Sequence, residues 1–456
     1  MSPTKNQSPE LLDPYTPGHG TDSYRVQHYD LDLDVKLSSN RLEGRARLLA
    51  EAREDLDSVV LSLAGLKASK VYVDGAKAAK TVQRDDQLVI RLRVPIPAGR
   101  TFELDVRYEG TPRPVRGVWG EIGWEELEDG VLVAGQPTGA PTWFPCNDHP
   151  TQKSSFRISA TTDAGYRAVS NGLLVGQSKK SSRETWVYEQ REPMAPYLAT
   201  LLIGRYRELE LGACPTESGS TVRVRAAVPP SLLAEARNGL KDQLRMVELF
   251  IELFGPYPFR DYTVVVTEDE LEIPLESQTL SIVGPNHIRL TWDAQRLLAH
   301  ELAHQWFGNS VTVLRWQDIW LHEGFACYAE WLWSERAGLR SAAERAAAAW
   351  RYLKDEPQDL EIGRPGAHLM FDDRVYKRGA LALHALRCAV GDELFFRSLR
   401  TFATEYRHGN VSTSDLVVVF DRVSRGIPGI DAARVLDRWL YSGQLPALPE
   451  GDTVTA

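Results

Sequence analysis

Cysteine is scarce in this chain: four in 456 residues, at positions 146, 214, 327 and 388, with no CxxC and no close pair. A disulfide framework is therefore excluded, and reduced thiols in a reducing compartment are expected. Long apolar runs are missing too. No stretch approaches the ~20 residues that a membrane span requires, and Met1 to Gly20 are polar, with no basic start leading into an apolar segment. The expectation is a cytoplasmic protein with neither secretory leader nor membrane partner. Positive charge is also short, with 53 Lys and Arg against 62 Asp and Glu, a net charge of −9, and no basic run. Nucleic acid is excluded as a partner on that ground. What remains is ordinary for a globular chain: 43% hydrophobic and 25% charged residues, with length enough for two to three domains. Only the first twenty or so residues have the composition of an unordered segment.

The texture changes once along the chain. From Tyr24 to Val224, alternating β-forming runs such as Tyr29–Val35 and Gln87–Val94 are separated by turn residues. After Pro229-Pro230, the helical spacing of Leu240, Leu244, Val247 and Phe250 takes over. A helix over Gln295–Phe307, closed by Gly308-Asn309, and further helices over Arg378–Val390, Glu393–Tyr406 and Asp431–Tyr441 are expected. The fold class is read as multidomain α+β, with an all-β domain over 1–225 and a catalytic domain over 226–456.

Chemistry concentrates in His300-Glu301-Leu302-Ala303-His304, followed after eighteen residues by Glu323. On a helix, the two imidazoles lie on one face and reach a single cation. Two imidazoles and a carboxylate suit zinc, and a catalytic site keeps its fourth position for water. His300, His304 and Glu323 are thus the expected ligands of one Zn²⁺. Glu301 is the expected base, taking a proton from water and passing it to the leaving amine. Composition alone would produce the pentad in such a chain on the order of a per cent of the time, so the flanking sequence decides.

Those flanks are Leu298 to Asn309 and Asp318 to Ala326, and they resemble the aminopeptidase N family of gluzincin zinc metallopeptidases, which includes leukotriene hydrolase. Phe254-Gly255-Pro256-Tyr257-Pro258 is similar to the family's FGxYP turn, and Ile273 to Thr279 lies where the family carries its exopeptidase motif. Val375-Tyr376-Lys377-Arg378-Gly379-Ala380 resembles the segment that supplies the family's catalytic tyrosine, with Arg378 in place of lysine. The resemblance covers an N-terminal saddle-like β-domain and a thermolysin-like α/β and helical domain, the short two-domain form. It implies a zinc-dependent aminopeptidase with a more open cleft than larger relatives, acting on peptides with a free N-terminus; the oligomeric state stays open, with a monomer favoured. By the same resemblance Tyr376 donates to the oxyanion, while Glu276 and Gln136 hold the substrate's α-ammonium. A carboxylate beside that cation is a simple device for admitting an N-terminus and rejecting a mid-chain peptide.

Two other readings share part of this chemistry. A thermolysin-like endopeptidase would need HExxH but neither Glu276 nor Gln136, and a non-catalytic scaffold would have lost a ligand or the base. Departures from the family pattern also carry expectations. Ile273, Pro274 and Ser277 alter the exopeptidase loop, so side-chain preference does not transfer. His322 replaces asparagine before Glu323 and is placed at the surface or in a supporting position, because adjacent helical residues point about 100° apart. Asp318 and Glu330 are the carboxylates expected to hold the second nitrogen of a ligating histidine. Cys327, one turn after Glu323, is expected to be a buried structural thiol.

Overall fold

A β-bulge decides which way the first strand faces. In Tyr24–Lys36, Tyr24 and Val26 are buried, the register against Arg41–Ala52 slips between Val26 and His28, and Tyr29, Leu31, Leu33 and Val35 then take over the buried face. A side-chain period of two cannot place 24, 26, 29 and 31 on one face without an extra residue, which the bulge supplies. The opposite face carries Asp30, Asp32 and Asp34. Arg47 lies 2.7 Å from Asp30 and 2.9 Å from Asp32, Arg157 lies 3.1 Å from Asp30, and Arg183 pairs with Asp34.

The computed structural model describes residues 12–215, 221–425, 427 and 431–449. The first half is all β apart from short 3-10 turns. Its large sheet has the order Leu173–Lys180, Arg183–Met194, Ser154–Asp163, Tyr24–Lys36, Arg41–Ala52, Thr101–Gly110, Lys67–Val73, Ala76–Lys77. A three-stranded sheet is built around Gln87–Ile96, and a five-stranded sheet contains Gly130–Ala134 and Leu201–Gly204.

A further five-stranded sheet belongs to the second half but begins in the first. Its order is Arg207–Pro215, Thr221–Val228, Asp261–Val266, Leu280–Val283, Leu275–Ser277. The three central strands are parallel and the two edges antiparallel. The sheet therefore runs across position 225. Leu132, Val169, Leu202 and Tyr206 from the first half pack on Ala227, Val265, Leu280 and Ile282 of this sheet, welding the two halves together with apolar contacts. Each such side chain fully removed from water contributes about 1.5–3 kcal/mol.

Nine α-helices lie among the described residues: α1 Leu233–Gly239, α2 Gln243–Phe254, α3 Trp292–Ala303, α4 Trp320–Arg336, α5 Ala342–Lys354, α6 Asp373–Val390, α7 Asp392–Glu405, α8 Thr413–Val423 and α9 Ala432–Leu440. Three of these boundaries differ from expectation by more than one residue, for local reasons. α3 starts earlier, where the Thr291 hydroxyl accepts from the Ala294 amide, and ends at Ala303 because the amides of Gln305 and Trp306 bond three residues back and tighten the last turn. α6 starts at Asp373, five residues before expectation, since the Asp372 carboxylate accepts from the Arg374 amide at 2.9 Å. Tyr376 consequently sits on the first turn of a long helix.

The described part of the N-terminal segment corrects another expectation. Residues 12–22 are ordered: Asp13 is 1% exposed and accepts from the Trp316 amide at 2.7 Å and the Tyr15 amide at 2.9 Å. The Tyr15 hydroxyl accepts from the Gly366 amide at 2.8 Å, so the strap crosses onto the second half. Composition missed this because one buried carboxylate satisfied by two amides is enough to fix a polar segment.

Candidate active site

α3 and α4 pack together and bring the ends of three side chains into one buried space. His300 Nε2 and His304 Nε2 lie 3.4 and 3.5 Å from the same oxygen of Glu323, which sits on the first turn of α4. Ligands about 2.0–2.2 Å from a tetrahedral zinc stand roughly 3.4 Å apart, so Glu323 has ligand spacing to each imidazole, and the three donor atoms lie within 4.8 Å of one another. His300, Glu301, His304 and Glu323 are each at most 6% exposed. Tyr376 reaches the site because α4 and α6 cross at Gly324 and Gly379, where a Cβ on either would come within 2.8 Å of the other's Cα. Its ring stacks on that of His300 at 6.0 Å between centroids.

Glu276, Glu301 and His304 form a second close group, each offering an atom within 4.8 Å of the others. Glu276 lies on the edge strand Leu275–Ser277, which Gln305 ties to the end of α3. The Gln305 side-chain amide donates to Ser277 O at 3.0 Å and accepts from the Thr279 amide at 2.8 Å. One oxygen of Glu276 is buried without a hydrogen-bond partner, as is the side-chain nitrogen of Gln136. Gln136 comes from the first half. Its neighbour Gly135 lies so close to Tyr197 that a Cβ there would meet the Tyr197 carbonyl at 2.2 Å.

The electrostatics describe a site short of positive charge. Burial opposes protonation of His300, but hydrogen bonds to Glu323 and Glu330 prevail and hold its imidazole up to about 10. For His304 burial is likewise outweighed, by the charges of Glu323 and Glu276, and its imidazole is held up to about 9. Burial also opposes the charge on Glu323, yet the two imidazoles keep it below the ordinary carboxylate range. Glu301 moves the other way. Burial, against the pull of both histidines, pushes its carboxyl up to about 7. Burial and the surrounding carboxylates push the Tyr376 phenol well up. A buried cluster of carboxylates sharing two imidazoles has the donor chemistry and the charge deficit of a divalent-cation site.

The two histidines are oriented by different devices. His300 Nδ1 is 2.8 Å from Glu330, itself 3.2 Å from the Arg296 guanidinium, so Glu330 takes the position expected of it. His304 Nδ1 instead faces the Phe307 carbonyl at 3.1 Å. Asp318, the other carboxylate considered, accepts from the Thr413 hydroxyl and amide and touches neither imidazole. His322 is not at the surface. It is fully buried, and its Nε2 accepts from the Val313 amide at 3.0 Å. Cys327 is buried, as expected.

Sequence reasoning missed two buried cations near these residues. Lys153 donates to three main-chain carbonyls, Asn309 at 3.1 Å, Ser310 at 2.7 Å and Gly409 at 2.9 Å. Arg378 donates to the carbonyls of Leu360, Ser442, Gly443 and Gln444, fastening the segment after α9 against the helix that carries Tyr376. No motif signals either role, because their partners are backbone atoms far along the chain.

A mixed sheet carrying a helix with two imidazoles, completed by a glutamate from the next helix, defines the metallopeptidase class with a thermolysin-like catalytic half. Residues 239–439 match the peptidase family M1 domain and residues 25–198 the peptidase M1 N-terminal domain. The chain belongs to peptidase family M1. It is 25% identical over 448 residues to a leucyl aminopeptidase of Saccharolobus solfataricus, covering 92% of this chain and 54% of that one. It is 27% identical over 427 residues to aminopeptidase M1-D of Oryza sativa subsp. japonica, covering 87% and 48%. The chain thus spans about half the length of the curated relatives it matches. A crystal structure of an M1 zinc metallopeptidase from Deinococcus radiodurans superposes with a TM-score of 0.88 at 31% identity, covering 97% of this chain and 100% of that one. A variant of that metallopeptidase has been solved with a Tyr-Ser-Ala substrate bound.

Proposed function

We propose that the chain is a zinc-dependent aminopeptidase that hydrolyses the first peptide bond of peptides with a free N-terminus. The observation that carries this reading is the pair of overlapping groups, His300, His304 and Glu323 beside Glu276, Glu301 and His304. The first supports the ligand reading, and the second supports Glu301 as the base and Glu276 as the amine-binding carboxylate beside it. His300, His304 and Glu323 would hold one Zn²⁺, which when bound supplies a Lewis acid that polarises the scissile carbonyl and acidifies the attacking water.

The remaining roles belong to this chain's own side chains. Glu301 takes the proton of the attacking water and returns it to the leaving amine, a task suited to a carboxyl raised to about 7. Tyr376, whose phenol keeps its proton because burial raises its pKa, donates to the carbonyl oxygen as negative charge develops there. The unpartnered oxygen of Glu276 accepts from the α-ammonium, and the Gln136 side-chain oxygen is assigned to the same group by its place in the sequence.

The reading extends to setting. No helix among the described residues is long and apolar enough to cross a membrane. A cytoplasmic monomer with peptide partners, and no nucleic-acid partner, fits the acidic charge and the four free cysteines, and sedimentation of the purified chain at micromolar concentration checks the monomer. The two-domain division is proposed with its junction moved ahead of Arg207, since the strands on both sides of position 225 share one sheet. A fragment cut at 225 would then expose an unpaired strand and aggregate, whereas one cut near 205 would stay soluble.

The test uses aminoacyl-aminomethylcoumarin substrates with free and N-acetylated amines, before and after chelation and zinc add-back. Chelator-sensitive release from the free-amine set alone is expected. Equal release from the acetylated set would replace the aminopeptidase with an endopeptidase, and silence on both with zinc bound would make the chain a scaffold.

A further inference from the structure

Lys153 is 3% exposed, and all three of its partners are main-chain carbonyls. Burial pulls the Lys153 pKa well below the ordinary lysine value, and three carbonyl oxygens stand where the water of its ammonium would be. Two of these carbonyls, Asn309 and Ser310, lie in the loop that follows α3 and immediately succeeds the second expected ligand. That loop also supplies the Phe307 carbonyl facing His304 Nδ1. The remaining carbonyl between them is taken as well: Gly308 O accepts from the Tyr197 hydroxyl at 3.2 Å and from the Thr312 hydroxyl at 2.6 Å. Lys153 and Tyr197 both come from the first half of the chain, 151 and 107 positions before His304 by subtraction of their numbers.

We infer that the N-terminal half positions His304, through Lys153 and Tyr197, by holding the Phe307–Ser310 loop whose carbonyl fixes the imidazole. The geometry requires some such device. His300 is anchored by the Glu330 carboxylate on α4, whereas His304 stands one residue past the end of α3 with no carboxylate on Nδ1. A loop carbonyl orients an imidazole only as well as the loop itself is held. Three loop amides also turn back on the residues that follow α3: Asn309 N donates to His304 O at 2.9 Å, Ser310 N to Gln305 O at 3.2 Å and Val311 N to Trp306 O at 3.0 Å, so movement of the loop is carried to His304. Lys153 and Tyr197 are positioning residues, since neither reaches the reacting atoms.

The inference rests on the metal reading above, and its test separates the two. Zinc affinity of the full chain is measured by competition with a chromophoric chelator, and the d–d absorption of the Co²⁺-substituted protein reports the ligand geometry. Failure of the unaltered chain to bind zinc would overturn the metal reading itself. Given wild-type binding, Lys153→Met is expected to weaken zinc about tenfold, at the low end of the effect of removing a ligand's supporting partner. It should also shift the Co²⁺ spectrum, and Lys153→Arg should recover part of both. Wild-type zinc affinity and an unchanged Co²⁺ spectrum in folded Lys153→Met would overturn the inference. Where Lys153→Met does not fold, Tyr197→Phe is read in the same assays. A Co²⁺ spectrum shifted from that of the unaltered chain, or weakened zinc binding, supports the loop's role, and an unaltered spectrum with unaltered affinity refutes it.

Discussion

Arg47, on the outer face of the eight-stranded sheet, and Arg378, inside α6, each hold several oxygens, but under opposite conditions. Arg47 is 40% exposed on its side chain and pairs with the carboxylates Asp30 and Asp32, in an array that Arg157 and Arg183 extend. Arg378 is 4% exposed and binds only carbonyls, and burial lowers its guanidinium to about 10. On the sheet face water and salt screen each pair, so the array sets surface charge more than stability. Around the proposed metal site nothing screens the charges, and each one either has a dedicated partner or awaits one. Counting ion pairs would rank the sheet face first, whereas removing a partner should show the reverse.

The sharpest test of that contrast is Glu301→Gln, which keeps shape and burial and removes the proton acceptor. Turnover should fall by about 10²–10⁴ with zinc content unchanged, checked by steady-state kinetics and metal analysis. Retained turnover would break the proposed mechanism. Next comes Arg378→Met, which leaves four carbonyls at α6 and the segment after α9 without their donor. A loss of about 3 kcal/mol in urea unfolding is expected. Glu330→Gln comes third. It should lower zinc affinity about 10–100-fold in chelator competition, since it removes the carboxylate that orients His300.

A smaller effect follows from His384, whose imidazole burial holds down to about 4. Its neutral form is retained in the fold while the unfolded chain takes up a proton near 6.5. The stability this group allows is therefore complete above pH 6.5 and is lost as pH falls towards 4, at about 1.4 kcal/mol per pH unit. Replacing it by Gln should flatten the fall in unfolding midpoint between pH 6.5 and 5. The smallest effect belongs to Arg47→Ala, at about 1 kcal/mol or less and shrinking with added salt. A larger, salt-insensitive loss there would erase the comparison between the two regions.

How much of this could be read from sequence depended on the range of the interaction. HExxH is a pattern inside one helix turn, so the approach of His300, Glu301 and His304 followed from periodicity, and the structure brings Glu323 and Glu276 to them. The β texture of the first half was equally plain, because alternation is local. Helix ends were misjudged where a single cap, Thr291 or Asp372, extended an element beyond its apolar pattern. Lys153, Tyr197 and Arg378 left no trace, since a main-chain carbonyl has no letter in the sequence. Of the two positions open to His322, surface or supporting, the second holds, because its Nε2 accepts from the amide of Val313, nine residues earlier in the short strand Thr312–Val313.

The sheet shared between the halves also has a meaning in time. During synthesis Thr221–Val228 pairs at once with Arg207–Pro215, but its other edge waits for Asp261–Val266, whose first residue is 33 positions beyond Val228. At ribosomal speeds of about 5–20 residues per second, that edge stays open for a few seconds. An apolar strand, with Val222, Val224, Ala226 and Val228 all buried in the finished sheet, is then a template for any neighbouring nascent chain. Slowing elongation between residues 228 and 266 should lower the soluble yield of this protein more than slowing it within the first two hundred residues.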